Sequence, residues 1–282
     1  MSRIQIAALL TCHNRVDRTL ACLASLSAQT WTGGEIGIVL VDAASSDGTA
    51  EEVRRRYPEA TIIERGPELY WNGGMRVALA HAHDLQPDYY LWLNDDVELD
   101  PDAVQRLVDC DRQLAVERQV PTIIAGTVRD PQSGEPTYGG VVRPDRWRRM
   151  RYQLVQPTDQ PRQVETMNGN CVFVPRSVVD RIGNLAAAYT HGMGDYDYGH
   201  RANRARCEVW VAPGTVGTCA RNPAADRAAS LGDFRRRTTS PTGGLPPAEW
   251  RTFVRRWGGP LWPVYAYSPY ARRFASWITK RT

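Results

Sequence analysis

The sequence predicts an α/β protein with a mostly parallel central sheet flanked by helices and a C-terminal helical extension. Short apolar runs of strand length alternate with segments of helical period, three of those runs stop in polar clusters, and the chain beyond residue 219 turns basic and aromatic.

Ile4 to Leu10 is an apolar run ending in Thr11-Cys12-His13-Asn14-Arg15, a buried strand meeting a polar loop. Val16, Leu20, Leu23 and Leu26 then fall at helical spacing. Ile36 to Val41 repeats the strand and stops at Asp42, after which Ser45-Ser46-Asp47-Gly48-Thr49 supplies N-cap chemistry for a helix through Arg56. A third strand is expected at Thr61 to Glu64, a helix from Gly73 to Asp84, and a fourth strand at Tyr89 to Leu93 that halts at Asn94-Asp95-Asp96. Pro101 suits a first helical turn, and Ala103, Val104, Leu107 and Val108 continue that helix. In open sheets of this kind ligands bind beyond the carboxyl ends of the strands, so the three polar clusters should share one cleft.

After Ile123 the pattern loosens. Turn signals at Asp130-Pro131 and Ser133-Gly134 and a basic stretch from Arg143 to Arg151 suit short antiparallel strands or a mobile loop. Order returns at Val164 to Pro175, then a helix from Arg176 to Ile182 ends at Gly183. Gly194-Asp195-Tyr196-Asp197 precedes a helix reaching Arg206, and Glu208 to Ala212 reads as a strand. There is no internal repeat.

A chain of 282 residues accommodates one large core with an appendage, here a catalytic domain over 1–219 and an extension over 220–282. The hydrophobic share of 42% and charged share of 23% exclude wholesale disorder. No long uncharged apolar run or signal sequence is visible, which predicts a cytoplasmic protein. Cys12, Cys22, Cys110, Cys171, Cys207 and Cys219 form no C-x-x-C pair, so buried free thiols are expected rather than a zinc knuckle or disulfide framework. The net charge of +4 conceals an asymmetry: residues 220–282 hold twelve Lys/Arg against three Asp/Glu, a balance of +9, leaving the first 219 residues at −5. The only lysine is Lys280, which removes Schiff-base chemistry from the body of the chain.

Adjacent carboxylates at the end of a buried strand repel each other unless a cation or strong donors compensate. Asp95 and Asp96 therefore suggest a hard divalent ion, Mg2+ or Mn2+, whose natural companion is a diphosphate. The alternative is that both acids cap the helix near Pro101.

Thr11-Cys12-His13-Asn14-Arg15, Val41 to Thr49, Trp71-Asn72-Gly73-Gly74, Leu93 to Val97 and Gly194 to Asp197 occur in the order and spacing of family 2 glycosyltransferases, and from residue 4 to 219 the chain resembles that family. The resemblance implies the GT-A fold with a Rossmann-like nucleotide-binding half. It also implies that Thr11, His13 and Arg15 line the base site, that Asp42 accepts from a pyrimidine, and that Asn72, Gly74 and Asn94 lie on the nucleotide-sugar side. Asp95 would meet the ribose and Asp96 the metal. Asp195 is similar to the general base of inverting members, and a place at a helix N-terminus would favour its ionised form; the alternative is plain N-capping. Asp197 is expected to pair with Arg201 at i,i+4. Many relatives carry a metal-binding histidine where this chain has Cys219, so either Asp96 and phosphates hold the ion alone or His191 approaches from the loop before Asp195. Asn170 falls in a stretch similar to the family's acceptor-side loop.

In the extension, Trp250, Phe253, Val254 and Trp257 form one helical stripe and Tyr270, Phe274, Trp277 and Ile278 another, with arginines beside both. Such stripes suit peripheral contact through 247–278 with anionic lipid on the inner face of a membrane, where a lipid-linked acceptor would sit. The alternative is packing on the catalytic domain or on a second subunit as a homodimer; no nucleic-acid module is recognisable. The expected activity is inverting transfer of a hexose or deoxyhexose from a dTDP- or UDP-sugar to a glycan or lipid-linked acceptor. Leu69 to Gly74 and the chain length look most like bacterial rhamnosyltransferases, which makes dTDP-rhamnose the first donor to consider. A sugar-phosphate nucleotidyltransferase would need a glycine-rich loop where Thr11 to Arg15 has none, and a non-catalytic scaffold would not need the acidic cluster.

Overall fold

The computed structural model describes residues 3–145, 147–221, 228 and 230–279. β1 (Ile4–Cys12), α1 (Val16–Ser27), β2 (Gly34–Ala43), α2 (Thr49–Arg56), β3 (Thr61–Arg65), α3 (Tyr70–Asp84) and β4 (Tyr89–Leu93) alternate as the apolar runs predict. β5 (Glu98–Leu99), α4 (Ala103–Arg118) and β6 (Thr122–Ala125) follow. The loosely patterned stretch then contributes β7 (Val128–Arg129), β8 (Pro136–Tyr138), β9 (Gly140–Val142), β10 (Gln153–Leu154), β11 (Arg162–Val164) and β12 (Thr166–Met167). After β13 (Cys171–Pro175), α5 (Arg176–Ile182), α6 (Gly194–Arg204), β14 (Glu208–Val211) and β15 (Gly217–Thr218), the described chain ends with α7 (Leu231–Thr239), α8 (Pro247–Trp257) and α9 (Trp262–Thr279).

Eight strands form one sheet in the order β11-β14-β6-β13-β4-β1-β2-β3, and the remaining strands build two small sheets, β10-β9-β12 and β5-β15-β7-β8. β4, β1, β2 and β3 are parallel neighbours, with Leu9 level with both Val39 and Trp92, while β13 runs antiparallel between β4 and β6. Both faces of the large sheet are covered. Ala8, Leu10, Leu40 and Leu91 pack with Leu23 of α1 and Leu107 of α4, whereas Leu9, Val41 and Trp92 pack with Met75 and Leu79 of α3 and Tyr198 of α6. Burial on two sides explains why these strands read as unbroken apolar runs.

Two helices begin earlier than their periodicity predicts. α3 starts at Tyr70 and takes in Trp71 to Gly74; α6 starts at Gly194, so Asp195 and Asp197 lie in its first turn. Neither segment has strong helical propensity. Distant contacts hold them, since the Asn72 N–H donates to the Thr190 carbonyl at 3.1 Å, and Met193 adopts φ +69° to launch α6.

The tail docks through one buried carboxylate. Asp197 is fully buried; its Oδ2 accepts from Arg201 Nε at 3.0 Å, the i,i+4 pair expected, and its Oδ1 accepts from Arg256 at 2.7 Å, Trp257 Nε1 at 2.9 Å and the Tyr189 hydroxyl at 3.2 Å. Phe253 and Trp257 of α8 pack with Tyr189 beside it, so the first aromatic stripe faces the catalytic body. The second stripe does not. α9 leaves Phe274 and Ile278 exposed, together with Leu261, Val264 and Tyr267 around its start. No helix among the described residues is long and apolar enough to cross a membrane.

Removing the Asp197 carboxylate strands two guanidiniums and an indole N–H in or near the interior. Asp197→Ala is expected to lower unfolding free energy by about 3–5 kcal/mol, measured by urea denaturation. A loss near zero would mean that the apolar contacts of Phe253 and Trp257 hold α8 unaided.

Candidate active site

Parallel pairing places Thr11, Asp42 and Asn94 at the same sheet edge, because β4, β1 and β2 are consecutive neighbours. The loops beyond them are laced together. Asn14, at φ +52°, receives the Ser46 N–H at 2.7 Å and gives its own N–H to Ser45 Oγ at 2.9 Å, while the Val16 N–H reaches Asp47 at 3.0 Å. His13 Nδ1 lies 2.7 Å from the Ala43 carbonyl, which orients its exposed ring across the end of β2. Thr11 contacts α3 where Gly74 faces it; any Cβ at Gly74 would collide with the Thr11 hydroxyl. Asp42 is 2% exposed, with Oδ1 accepting the Ser45 N–H at 2.7 Å and Oδ2 buried without a partner. An unpaired buried carboxylate oxygen is costly and invites a donor from a bound molecule.

The acidic pair is bridged by arginine. Arg15, expected along the base site, extends one guanidinium nitrogen to Asp95 Oδ1 and Asp96 Oδ2, both at 3.1 Å, and Arg18 stands 3.8 Å from Asp96. Burial nonetheless pushes the Asp95 carboxyl up to about 6 against the pull of Arg15. Neither acid caps α4, which begins at Ala103 behind Asp102. On the other side of Asp96, the Cys219 thiol donates to Oδ1 at 3.5 Å and receives Asn170 Nδ2 at 3.8 Å. Burial and the neighbouring carboxylates raise that thiol to about 12, so that it stands beside Asp96 as a protonated donor.

From Asn94 the contacts run on to Asp195. The Asn94 N–H donates to the Asn170 carbonyl at 2.9 Å, and Trp71 Nε1 donates to Asn94 Oδ1 at 2.7 Å. The Trp71 ring lies so close to Gly169 that a Cβ there would overlap it. Gly169 N–H in turn donates to Asp195 Oδ2 at 3.0 Å, and the Tyr196 N–H donates to Oδ1 at 2.8 Å. One oxygen thus meets the helix start and the other the facing loop, which N-capping alone does not describe. Desolvation outweighs these N–H donors and raises the Asp195 carboxyl to about 6, opposite to the direction expected from the helix dipole.

His191 accepts from the Trp71 N–H at 3.4 Å, and burial with the Arg15 charge lowers its pKa. Asn72, expected on the nucleotide-sugar side, is instead fully buried. Its Nδ2 is occupied by the Ala186 and Tyr189 carbonyls at 3.0 and 2.6 Å, so it positions the loop before α6. Among the described residues no group of three or more His, Cys, Asp or Glu could hold a metal, which leaves His191 and Cys219 outside any preformed cage. Asp96, partly exposed, is the carboxylate that could hold one. A single carboxylate fits a hard ion completed by phosphate oxygens and water, the mode Mg2+ adopts with nucleotides. Arg18 carries no expectation in the sequence, and Trp71 and Gly169 enter it only as members of the matched motifs, without a role of their own.

The model for Glycosyl transferase family 2 matches residues 8–183. An N-acetylglucosaminyl-diphospho-decaprenol L-rhamnosyltransferase of two Mycobacterium tuberculosis strains is 25% identical over 210 residues, 65% of this chain and 65% of that one. The chain therefore matches less than two thirds of that relative's length. Among solved structures, the mannosyltransferase PcManGT from Pyrobaculum calidifontis in complex with GDP-Man and Mn2+ superposes with a TM-score of 0.56 at 16% identity, over 94% of this chain and 70% of that chain. GalNAc-T7 with UDP, GalNAc and Mn2+ does so at 0.67 and 13% identity, over 94% and 50%. The fold is that of GT-A glycosyltransferases.

With its pKa raised to about 6, Asp195 binds its proton more tightly in the folded than in the unfolded chain, and the stability of the neutral form is lost as pH rises through that value. Relative to Asp195→Asn, the wild type should therefore lose up to about 3 kcal/mol between acidic and neutral pH. Urea unfolding at a series of pH values measures the difference, and a flat difference would mean that the carboxyl titrates as in water.

Proposed function

The chain belongs to glycosyl transferase family 2, and on that premise we propose that it is an inverting glycosyltransferase moving a hexose or deoxyhexose from a pyrimidine-nucleotide diphosphate sugar to a glycan or lipid-linked hydroxyl. The observation that carries the reading is the Asp195 carboxyl, desolvated to about 6 and joined through Gly169, Trp71 and Asn94 to the acidic end of β4. A carboxylate of that pKa is ionised at neutral pH yet basic enough to take a proton in a transition state. Asp195 removes the acceptor hydroxyl proton as the oxygen attacks the anomeric carbon, and the nucleotide diphosphate departs from the opposite face with inversion.

The remaining side chains hold the donor. The orphaned Asp42 oxygen supports acceptance of a pyrimidine N–H, and the His13 ring, fixed by Ala43, supports contact with the base. Arg15 and Arg18 keep Asp95 and Asp96 tolerable together before the donor arrives. Mg2+ or Mn2+ on Asp96, the latter ion accompanying the nucleotides of both structural neighbours, would neutralise the leaving diphosphate. Asn170 and His191 belong to the acceptor side. Residues 1–219 form the catalytic unit and 220–282 an extension that brings 247–278, chiefly α9, to the cytoplasmic face of a membrane; the lipid-linked acceptor of the mycobacterial relative supports that placement. The same relative, an L-rhamnosyltransferase, supports rhamnose as the leading sugar, with dTDP as the nucleotide carried over from the resemblance of Leu69 to Gly74.

Asp195→Asn should lower kcat by about 10²–10⁴-fold while leaving nucleotide diphosphate affinity intact. In the wild type kcat/KM should fall on the acid side of about pH 6. Transfer undiminished in the variant would remove Asp195 as the general base and sink the reading, whereas unchanged biological activity without transfer would identify a scaffold role. Melting shifts with dTDP, UDP and GDP in the presence of Mn2+ test the donor: the largest shift is expected with dTDP and should disappear on chelation, and equal shifts for all three would remove the dTDP preference.

A further inference from the structure

A second cavity, about 640 Å³ in volume, lies away from the acidic strand end, between the outer face of α6, the β9–β11 segment and the α8–α9 junction. Four arginines line it: Arg143, Arg149, Arg204 and Arg256. Two are matched, Arg143 by Glu165 and Arg256 by Asp197. Arg149 and Arg204 have no carboxylate partner among the described residues. Arg204 donates to the Arg256 carbonyl at 3.0 Å with its guanidinium 4.0 Å over the Trp257 ring, and Arg149 lies against Gly259 at the helix junction. His200 on the cavity wall is tied to the Tyr152 hydroxyl at 2.7 Å and offers no countercharge. Two uncompensated guanidiniums facing a space of this size make a receptor for a phosphate group.

The surroundings narrow the choice of phosphate. Trp147, two residues before Arg149, is exposed, as are Leu261 and Val264 just beyond Gly259, and the Tyr265 hydroxyl ties α9 to the Trp147 carbonyl. From residue 250 to 279 the chain contains no Asp or Glu. A cationic cavity thus opens beside an apolar rim, the pattern of an amphiphile with an anionic head.

We propose that this cavity binds the phosphate of a lipid. The proposal rests on the lipid-acceptor reading for its use in catalysis, and on the cavity alone for its chemistry. The phosphate is that of an acidic phospholipid in the bilayer or the diphosphate of a lipid-linked acceptor, and one pair of variants separates them. In the full chain, Arg149→Gln/Arg204→Gln is expected to weaken binding to phosphatidylglycerol vesicles by about tenfold or more, read by flotation, without changing binding to phosphatidylcholine vesicles. Arg149→Lys/Arg204→Lys keeps the charge and should retain most of the affinity, which separates loss of the site from loss of the fold. KM for a lipid diphosphate acceptor in neutral detergent is measured alongside. Weakened vesicle binding with unchanged KM assigns the site to the bilayer headgroup, and a raised KM in detergent assigns it to the acceptor. Vesicle binding and KM both at wild-type values in the glutamine variant would overturn the proposal. Absence of transfer by the wild type would defeat the glycosyltransferase reading and leave the vesicle measurement standing.

Discussion

The arrangement at the end of β4 depends on how two adjacent carboxylates are kept together. Asp95 is nearly buried and Asp96 largely so, and like charges that close disfavour each other's ionised form. Arg15 resolves the conflict by reaching both from the end of β1. It can do so only because β1 and β4 are parallel neighbours, which brings the loops after them to one edge. Sheet order is thus a condition of the site's electrostatics.

α6 connects the site to the tail. Its first turn presents Asp195 toward Gly169, and two residues later Asp197 turns inward to bind α8. The helical period separates the two carboxylates by most of a half-turn, so one element serves two faces. Asp197 is satisfied by four donors, whereas Asp195 has two backbone N–H groups and a raised pKa. The better satisfied acid is structural. The less satisfied one keeps the basicity that the proposed proton transfer needs, at a cost in stability that a purely structural residue would not impose.

The C-terminal extension divides along similar lines. α8 buries its aromatic stripe against Tyr189 and is an integral part of the fold, while α9 leaves large apolar side chains on the surface in a stretch without acidic residues. The rings of Phe274 and Trp277 meet Phe234 of α7, while Leu261, Val264, Tyr267 and Ile278 stand exposed.

Much of this was legible in the sequence. Strands buried on both faces must be apolar throughout, so Ile4 to Leu10, Ile36 to Val41 and Tyr89 to Leu93 announced a parallel sheet, and the polar residues where each run stops announced the cleft. The spacing of Asp197 and Arg201 predicted their pair because both lie on one helix. What sequence could not decide were the contacts between elements. Nothing local tells Arg15 to cross to residues eighty positions away, starts α3 at Tyr70, buries Asn72, makes Cys219 a donor to Asp96, or distinguishes the aromatic stripe of α8 from that of α9. Periodicity reports that a face is apolar and a polar cluster that a strand has ended; the identity of the partner is set by which surfaces meet when the sheet closes, and so belongs to the tertiary structure alone.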